Sequence, residues 1–307
     1  MIWLHRYARL LVAATLLLVA AGGMVTSTNS GLSVPDWPTS YGYSMYSFPL
    51  SKMVGGIFYE HGHRLIASTV GFLTIGLVLF VWRVDPRRWM RHLSLIGLGA
   101  VILQGVLGGL TVLYMLPAPI SIGHAGLAQL FFCLTVSVAL FTSPSWLAPA
   151  AAPVDDAALR TRALGLTIAI YIQILIGATM RHIGAGLAIP DFPLAFGRLV
   201  PPTWTAQIAV HFAHRVFALV VAIWIVANAL YIWRRHRDRR ELTRPAALLV
   251  GLVLVQITLG ALVVLTAKQP EVNTLHVATG AMVLGTSLLI TLRAFRVRFR
   301  VPLRHEA

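Results

Sequence analysis

Apolar residues fall into eight runs, approximately 8–28, 61–82, 92–113, 120–142, 162–181, 206–233, 245–267 and 272–292, separated by short polar stretches. A helix needs about 20 apolar residues to cross the hydrocarbon layer of a bilayer, and every run is long enough. The pattern predicts eight membrane-spanning α-helices and no globular domain. The first run also has the outline of a secretory signal peptide, with Arg6 and Arg9 ahead of it and Ala20-Ala21-Gly22 near its end. Its counterpart at 162–181 lies inside the chain, where no signal peptide can be, so the first run is read as a span.

The pattern repeats. Residues 31–42 read GLSVPDWPTSYG and 186–197 read GLAIPDFPLAFG, an offset of 155. EHGHR at 60–64 returns as HFAHR at 211–215, an offset of 151. Gln104, Leu107, Gly108 and His124 return as Gln256, Leu259, Gly260 and His276, an offset of 152. Motifs recurring in order at nearly one spacing predict two homologous four-helix bundles. An even number of spans in each half inserts both the same way up, which predicts a pseudo-two-fold axis along the membrane normal. The expected division is an N-terminal half at 1–142, a cytoplasmic linker at 143–161, and a C-terminal half at 162–307 ending in a basic cytoplasmic tail.

Composition agrees with this reading: 57% of the 307 residues are hydrophobic and 11% charged, against about 25% charged in a soluble domain. The net charge of +15 does not point to nucleic acid, because the basic residues sit between apolar runs. Nineteen Lys and Arg lie on one side of the expected membrane and four on the other, with Arg64 and Arg215 at the starts of spans. The positive-inside rule then puts both termini in the cytoplasm and loops 29–55 and 182–205 outside. The single cysteine, Cys133, excludes an intrachain disulfide and cysteine-based zinc or iron–sulfur centres.

Polar side chains inside spans are costly and usually functional. His63, His124, His214 and His276 each sit near the outer start of an even-numbered span, which predicts one common level in the outer leaflet. Each half contributes one histidine from its second helix and one from its fourth. Two imidazoles facing each other across a bundle can hold one haem iron, and two halves give two such sites. Zinc would want further ligands. A di-iron carboxylate centre would want more carboxylates, and Glu60 is the only Glu in a span or at its mouth.

Three residues before the histidine the halves differ, with Glu60 before His63 and His211 before His214. Positions i and i+3 share a helix face, so a fixed negative charge points toward one site only. This suggests one catalytic and one cofactor site. Arg64 and Arg215 follow the two histidines directly and are candidate partners for haem propionates. Gln104 and Gln256 read as helix-packing hydrogen-bonders; His211 and His182 receive no role.

Taken together, Glu60-x-x-His63-Arg64, His124, His214-Arg215, His276 and the loops Gly31–Pro38 and Arg181–Pro193 resemble the heme A synthase family over essentially the whole chain. The resemblance implies an eight-helix integral protein of a bacterial-type cell membrane, with its haem sites toward the outer leaflet. It implies heme O as substrate, its C8 methyl oxidised to a formyl group, for cytochrome oxidase biogenesis. It implies a substrate pocket at Glu60, His63 and His124, and a haem b cofactor on His214 and His276. Expected partners are the heme O synthase that supplies the substrate and an electron partner of open identity, with room for a homo-oligomer. The sequence departs from the family at the outer loops: Val34 and Ile189 stand where many members have cysteine, so packing or proline must hold the loops. Three rivals are weaker. A di-haem b-type electron-transfer protein leaves Glu60 idle. A parallel-repeat transporter does not require four histidines at one depth. A prenyl transferase would want clustered aspartates.

Overall fold

The structure is a computed structural model that describes residues 1–148 and 154–299. Its helices are α1 (Ile2–Ser27), α2 (Gly56–Val84), α3 (Arg88–Leu113), α4 (Ala118–Phe141), the one-turn α5 (Pro144–Leu147), α6 (Ala157–His182), α7 (Ala206–Arg235), α8 (Arg240–Leu265) and α9 (Pro270–Ala294). All except α5 are long and apolar enough to cross a membrane, and among the described residues there is no strand. In hydrocarbon the backbone must satisfy its own polar groups, which a helix does within one segment. This is an integral membrane protein of eight spans.

The helices overrun the apolar runs at several ends, starting α2 at Gly56, α6 at Ala157 and α8 at Arg240. Backbone hydrogen bonding continues into the interface after the apolar residues stop. The expected linker 143–161 is thereby shortened. Ser143 caps α5 by accepting from Trp146 N–H, and Asp156 caps α6 by accepting from Leu159 N–H. Only Ala148 and 154–156 lie between them as described irregular chain; 149–153 and the tail from 300 fall outside the described residues. Burial works against ionisation of Asp156, but Leu159 N–H and the side chains of His236 and Tyr231 prevail and hold its carboxyl down to about 2.

Helix neighbours repeat between the halves. The pairs α1–α2, α2–α3, α3–α4 and α1–α4 recur as α6–α7, α7–α8, α8–α9 and α6–α9, and the seam is made by α1–α9, α4–α6 and α4–α9. Exchanging the halves maps this seam onto itself, which is compatible with two-fold symmetry. One buried apolar cluster draws on Leu4, Val70, Met90 and Phe131; another draws on Leu166, Ile225, Leu249 and Leu284. A third, around Phe132, Val136 and Ala281, fills the seam. The α1 helix is part of this packing, with Leu4, Ala8 and Leu11 almost fully buried.

The loops repeat down to their dihedral angles. Left-handed residues stand at Asn29 and Gly184, Tyr41 and Phe196, and Gly42 and Gly197. The turns before α4 and α9 use two consecutive left-handed residues each, Met115-Leu116 and Ala267-Lys268. Asp36 accepts from the N–H groups of Tyr41 and Gly42, and Asp191 from those of Phe196 and Gly197. Burial opposes charge on Asp36, yet these N–H groups and the Thr39 hydroxyl hold its carboxyl down to about 2. The N–H groups of Gly197 and Phe196 lower Asp191 in the same way.

Candidate functional site

The four histidines stand within about two helical turns of the starts of α2, α4, α7 and α9. His63 and His124 come from α2 and α4, and His214 and His276 from α7 and α9. Each ring rests on a glycine of a neighbouring helix. A Cβ added to Gly22 on α1 would lie 3.1 Å from His63 Cε1, and one on Gly108 of α3 would lie 3.2 Å from His124 Cε1. In the second half the same test gives 3.0 Å for Gly177 of α6 under His214 and 3.1 Å for Gly260 of α8 under His276. At such distances an added side chain would push the ring aside by a few tenths of an ångström. The glycines let each imidazole lie against backbone, which fixes its plane and its reach into the bundle. Gly108 and Gly260 read in the sequence as helix-packing residues; Gly22 and Gly177 were hidden in runs of small residues.

Glutamines attend the histidines. Gln104 Nε2 donates to the carbonyl of His124 at 2.9 Å, and Gln173 Nε2 to that of His214 at 2.9 Å. Gln256 Nε2 lies 3.3 Å from His276 Nε2. The expected helix-packing role therefore falls on the ligand-bearing helices themselves. Gln173 has Leu18 as its counterpart, so no repeat signal marked it. Among the described residues, His63 Nδ1, His124 Nδ1 and His276 Nδ1 are buried without a hydrogen-bond partner, as are the side-chain oxygens of Gln104, Gln173 and Gln256. Buried polar atoms without partners are rare and call for an explanation.

Glu60, Arg64 and the outer loop form one unit. Glu60 Oε1 accepts from Arg64 Nη2 at 2.7 Å, and Oε2 accepts from Val34 N–H at 2.7 Å. Arg64 also donates to the carbonyls of Val34, Asp36 and Thr39. In the second half His211 Nδ1 lies 3.3 Å from Ile189 N and His211 Nε2 lies 3.1 Å from Arg215 Nε, and a neutral imidazole accepts at one of the two. Arg215 donates onward to the carbonyls of Ile189 and Leu194. Glu60 and His211 thus anchor the same point of the two loops, and they differ there in charge. The side chains of Val34 and Ile189 are wholly buried. Packing and these anchors hold the loops. His61, unassigned in the sequence, shares a hydrogen bond with Ser40 Oγ at 2.9 Å and stacks near Phe48, adding a third tether in the first half.

Sequence comparison bears on the same residues. Residues 5–288 match the COX15-CtaA family, described as cytochrome oxidase assembly protein. The chain belongs to this family. Among its relatives, a heme A synthase of Symbiobacterium thermophilum is 33% identical, covering 81% of this chain and 82% of that protein. One from Shouchella clausii is 31% identical over 95% of this chain and 94% of its own length. One from Geobacillus kaustophilus is 28% identical over 97% and 93%. The family match spans both halves, so both histidine pairs and both anchored loops lie inside it.

The residues present fit a haem in each half. The donor set is two neutral nitrogen bases on facing helices, which suits axial ligation of haem iron. Each ring is seated on glycine, and three of the four keep a buried nitrogen without a partner. A ligating histidine ordinarily gives its other ring N–H to a nearby acceptor, and the unpaired glutamine oxygens lie on residues already bonded to the histidine helices.

Proposed function

We propose that this membrane oxidoreductase is a heme A synthase that oxidises the C8 methyl of heme O to a formyl group for cytochrome oxidase assembly. The observation that carries this reading is the duplicated histidine pair seated on glycine, within a chain that aligns with heme A synthases along most of its length. The rival di-haem electron-transfer protein is not favoured, because the relatives are named for synthesis of heme A.

The two halves take separate tasks in this reading. Residues 1–142 receive heme O between His63 and His124, and residues 162–307 hold haem b between His214 and His276. The bound haem b supplies one-electron redox chemistry. The protein supplies position and field. Glu60 places negative charge on the helix face shared with His63, where the substrate carbon becomes electron-poor. Each Glu60 oxygen has a lone pair beyond its bond to Arg64 or Val34, and there it accepts a proton released as the methyl group is oxidised. Arg64 lies against that carboxylate as its counter-ion. Arg64 and Arg215 sit where loop meets helix, and the propionates are assigned to that end. Both termini are placed in the cytoplasm and the histidine pairs toward the outer leaflet. Heme O arrives from the synthase that makes it.

The spectrum of the purified protein tests the ligand assignment. The wild type should show low-spin haem with two imidazole ligands. His214→Ala and His276→Ala should each abolish that spectrum, and His63→Ala should retain it. A normal low-spin spectrum with full haem content in both C-terminal variants would overturn the assignment.

A further inference from the structure

The assignments above leave one cation at the seam unused. Arg181, in the last turn of α6, donates from Nη2 to the carbonyl of Gly23 at 3.1 Å and to Ser27 Oγ at 3.0 Å, both on α1. Ser27 Oγ also accepts from Asn273 Nδ2 at 3.0 Å and lies 3.4 Å from Thr274 Oγ1. The guanidinium is therefore linked to α9 through two hydrogen bonds that share Ser27 Oγ. Among the described residues no carboxylate forms an ion pair with it. A cation in a span without a counter-ion is expensive and marks function as a rule.

Its position relative to the C-terminal histidines is well defined. Gly177, the floor under His214, precedes Arg181 by four residues and shares its face of α6. Asn273 precedes His276 by three residues and shares its face of α9. Arg181 and its partners thus stand about one turn beyond the His214–His276 pair, seen from either helix.

The first half has nothing equivalent. The counterpart of Arg181 is Thr26, whose hydroxyl turns back onto the carbonyls of Gly22 and Gly23. There Arg64 is balanced by Glu60, whereas Arg215 faces the imidazole of His211. Asp36 and Asp191 occur in both loops and cancel in the comparison. Lys268 and Glu271 flank the start of α9 with opposite charges.

We propose that Arg181 is a positioning residue whose fixed charge raises the reduction potential of the haem held by His214 and His276. This rests on the ligand assignment made above. A nearby positive charge favours the ferrous state, which carries one positive charge fewer, and it does so strongly where the dielectric is low.

Redox titration of the purified, haem-loaded protein tests it. Arg181→Gln should lower the midpoint of the low-spin haem by a tenfold change in the oxidised-to-reduced equilibrium, ~59 mV for one electron. Arg181→Lys keeps the charge and should stay near the wild type. Ser27→Asp neutralises the guanidinium in place and should lower the midpoint as Arg181→Gln does. A wild-type midpoint in whichever of Arg181→Gln and Ser27→Asp retains haem overturns the proposal. So does loss of haem from all three variants, which would make Arg181 a folding residue. Failure of the ligand assignment looks different: the wild type would then show no low-spin haem, or would keep it after loss of His214 and His276, and the proposal would fall with it.

Discussion

Glu60 and His211 face the same backbone N–H in two loops of the same shape, at Val34 and Ile189. Their anchoring task is shared, so the chemical difference between the halves at this point reduces to charge. That makes Glu60→Gln an informative change. The Gln side-chain oxygen can still accept from Val34 N–H, while the negative charge opposite Arg64 is gone. We expect heme A formation to fall by about 10²–10⁴-fold, the usual weight of a general base, with haem on His214 and His276 retained. Chromatography of the extracted pigments reads this directly, and an unchanged heme A yield would remove Glu60 from the chemistry. The carboxylate was legible in the sequence from the i, i+3 spacing to His63. Its bond to Val34 was not, because that contact joins residues 26 positions apart through a loop whose path the sequence does not give.

At the level of elements, the glycine seats explain why the histidine helices pack where they do. A larger side chain at Gly260 would meet His276 Cε1, and overpacking of this kind costs about 1–3 kcal/mol. Gly260→Leu and Gly177→Leu should displace His276 and His214 and weaken the low-spin haem signal, whereas Gly22→Leu and Gly108→Leu should spare it and impair heme O turnover. A low-spin signal lost equally in all four variants would contradict the division of tasks between the halves. The loops are elements of the same kind. The Asp36 carboxyl lies at about 2 in the folded protein, below the ordinary aspartate value near 3.9. Its stabilisation is therefore complete above the ordinary value and is lost as pH falls through about 2. Proteolytic cleavage within 29–55 should stay slow down to about pH 4 in the wild type and become faster at neutral pH in Asp36→Ala.

Across the whole molecule, the distribution of basic residues orients the bundle. Reporter fusions at residues 40 and 195 should report an external location and fusions at 86 and 238 a cytoplasmic one. A cytoplasmic signal at residue 40 would invert the protein and put the histidine pairs in the inner leaflet. The seam makes a second demand on the whole: α1 and α9 are joined through Gly23, Ser27, Asn273, Thr274 and Arg181, so each half leans on the other at the level of its histidines.

The sequence by itself determined the number of spans, the duplication and the two histidine pairs. Those properties are local or periodic: a bilayer demands a minimum apolar length, and a duplicated gene leaves its motifs at constant offsets. It also located the helices to within about two turns, missing the ends because backbone hydrogen bonding outlasts the apolar run. Tertiary structure decided what the sequence could not weigh. It showed that small residues at 22, 108, 177 and 260 are histidine seats, that Arg64 and Arg215 spend donors on loop carbonyls, and that Arg181 reaches across to the other half. Each of these depends on which helix faces which and at what rotation. Hydrophobicity leaves that open in lipid, where the faces of an apolar helix are nearly equivalent until close packing and buried polar contacts choose among them.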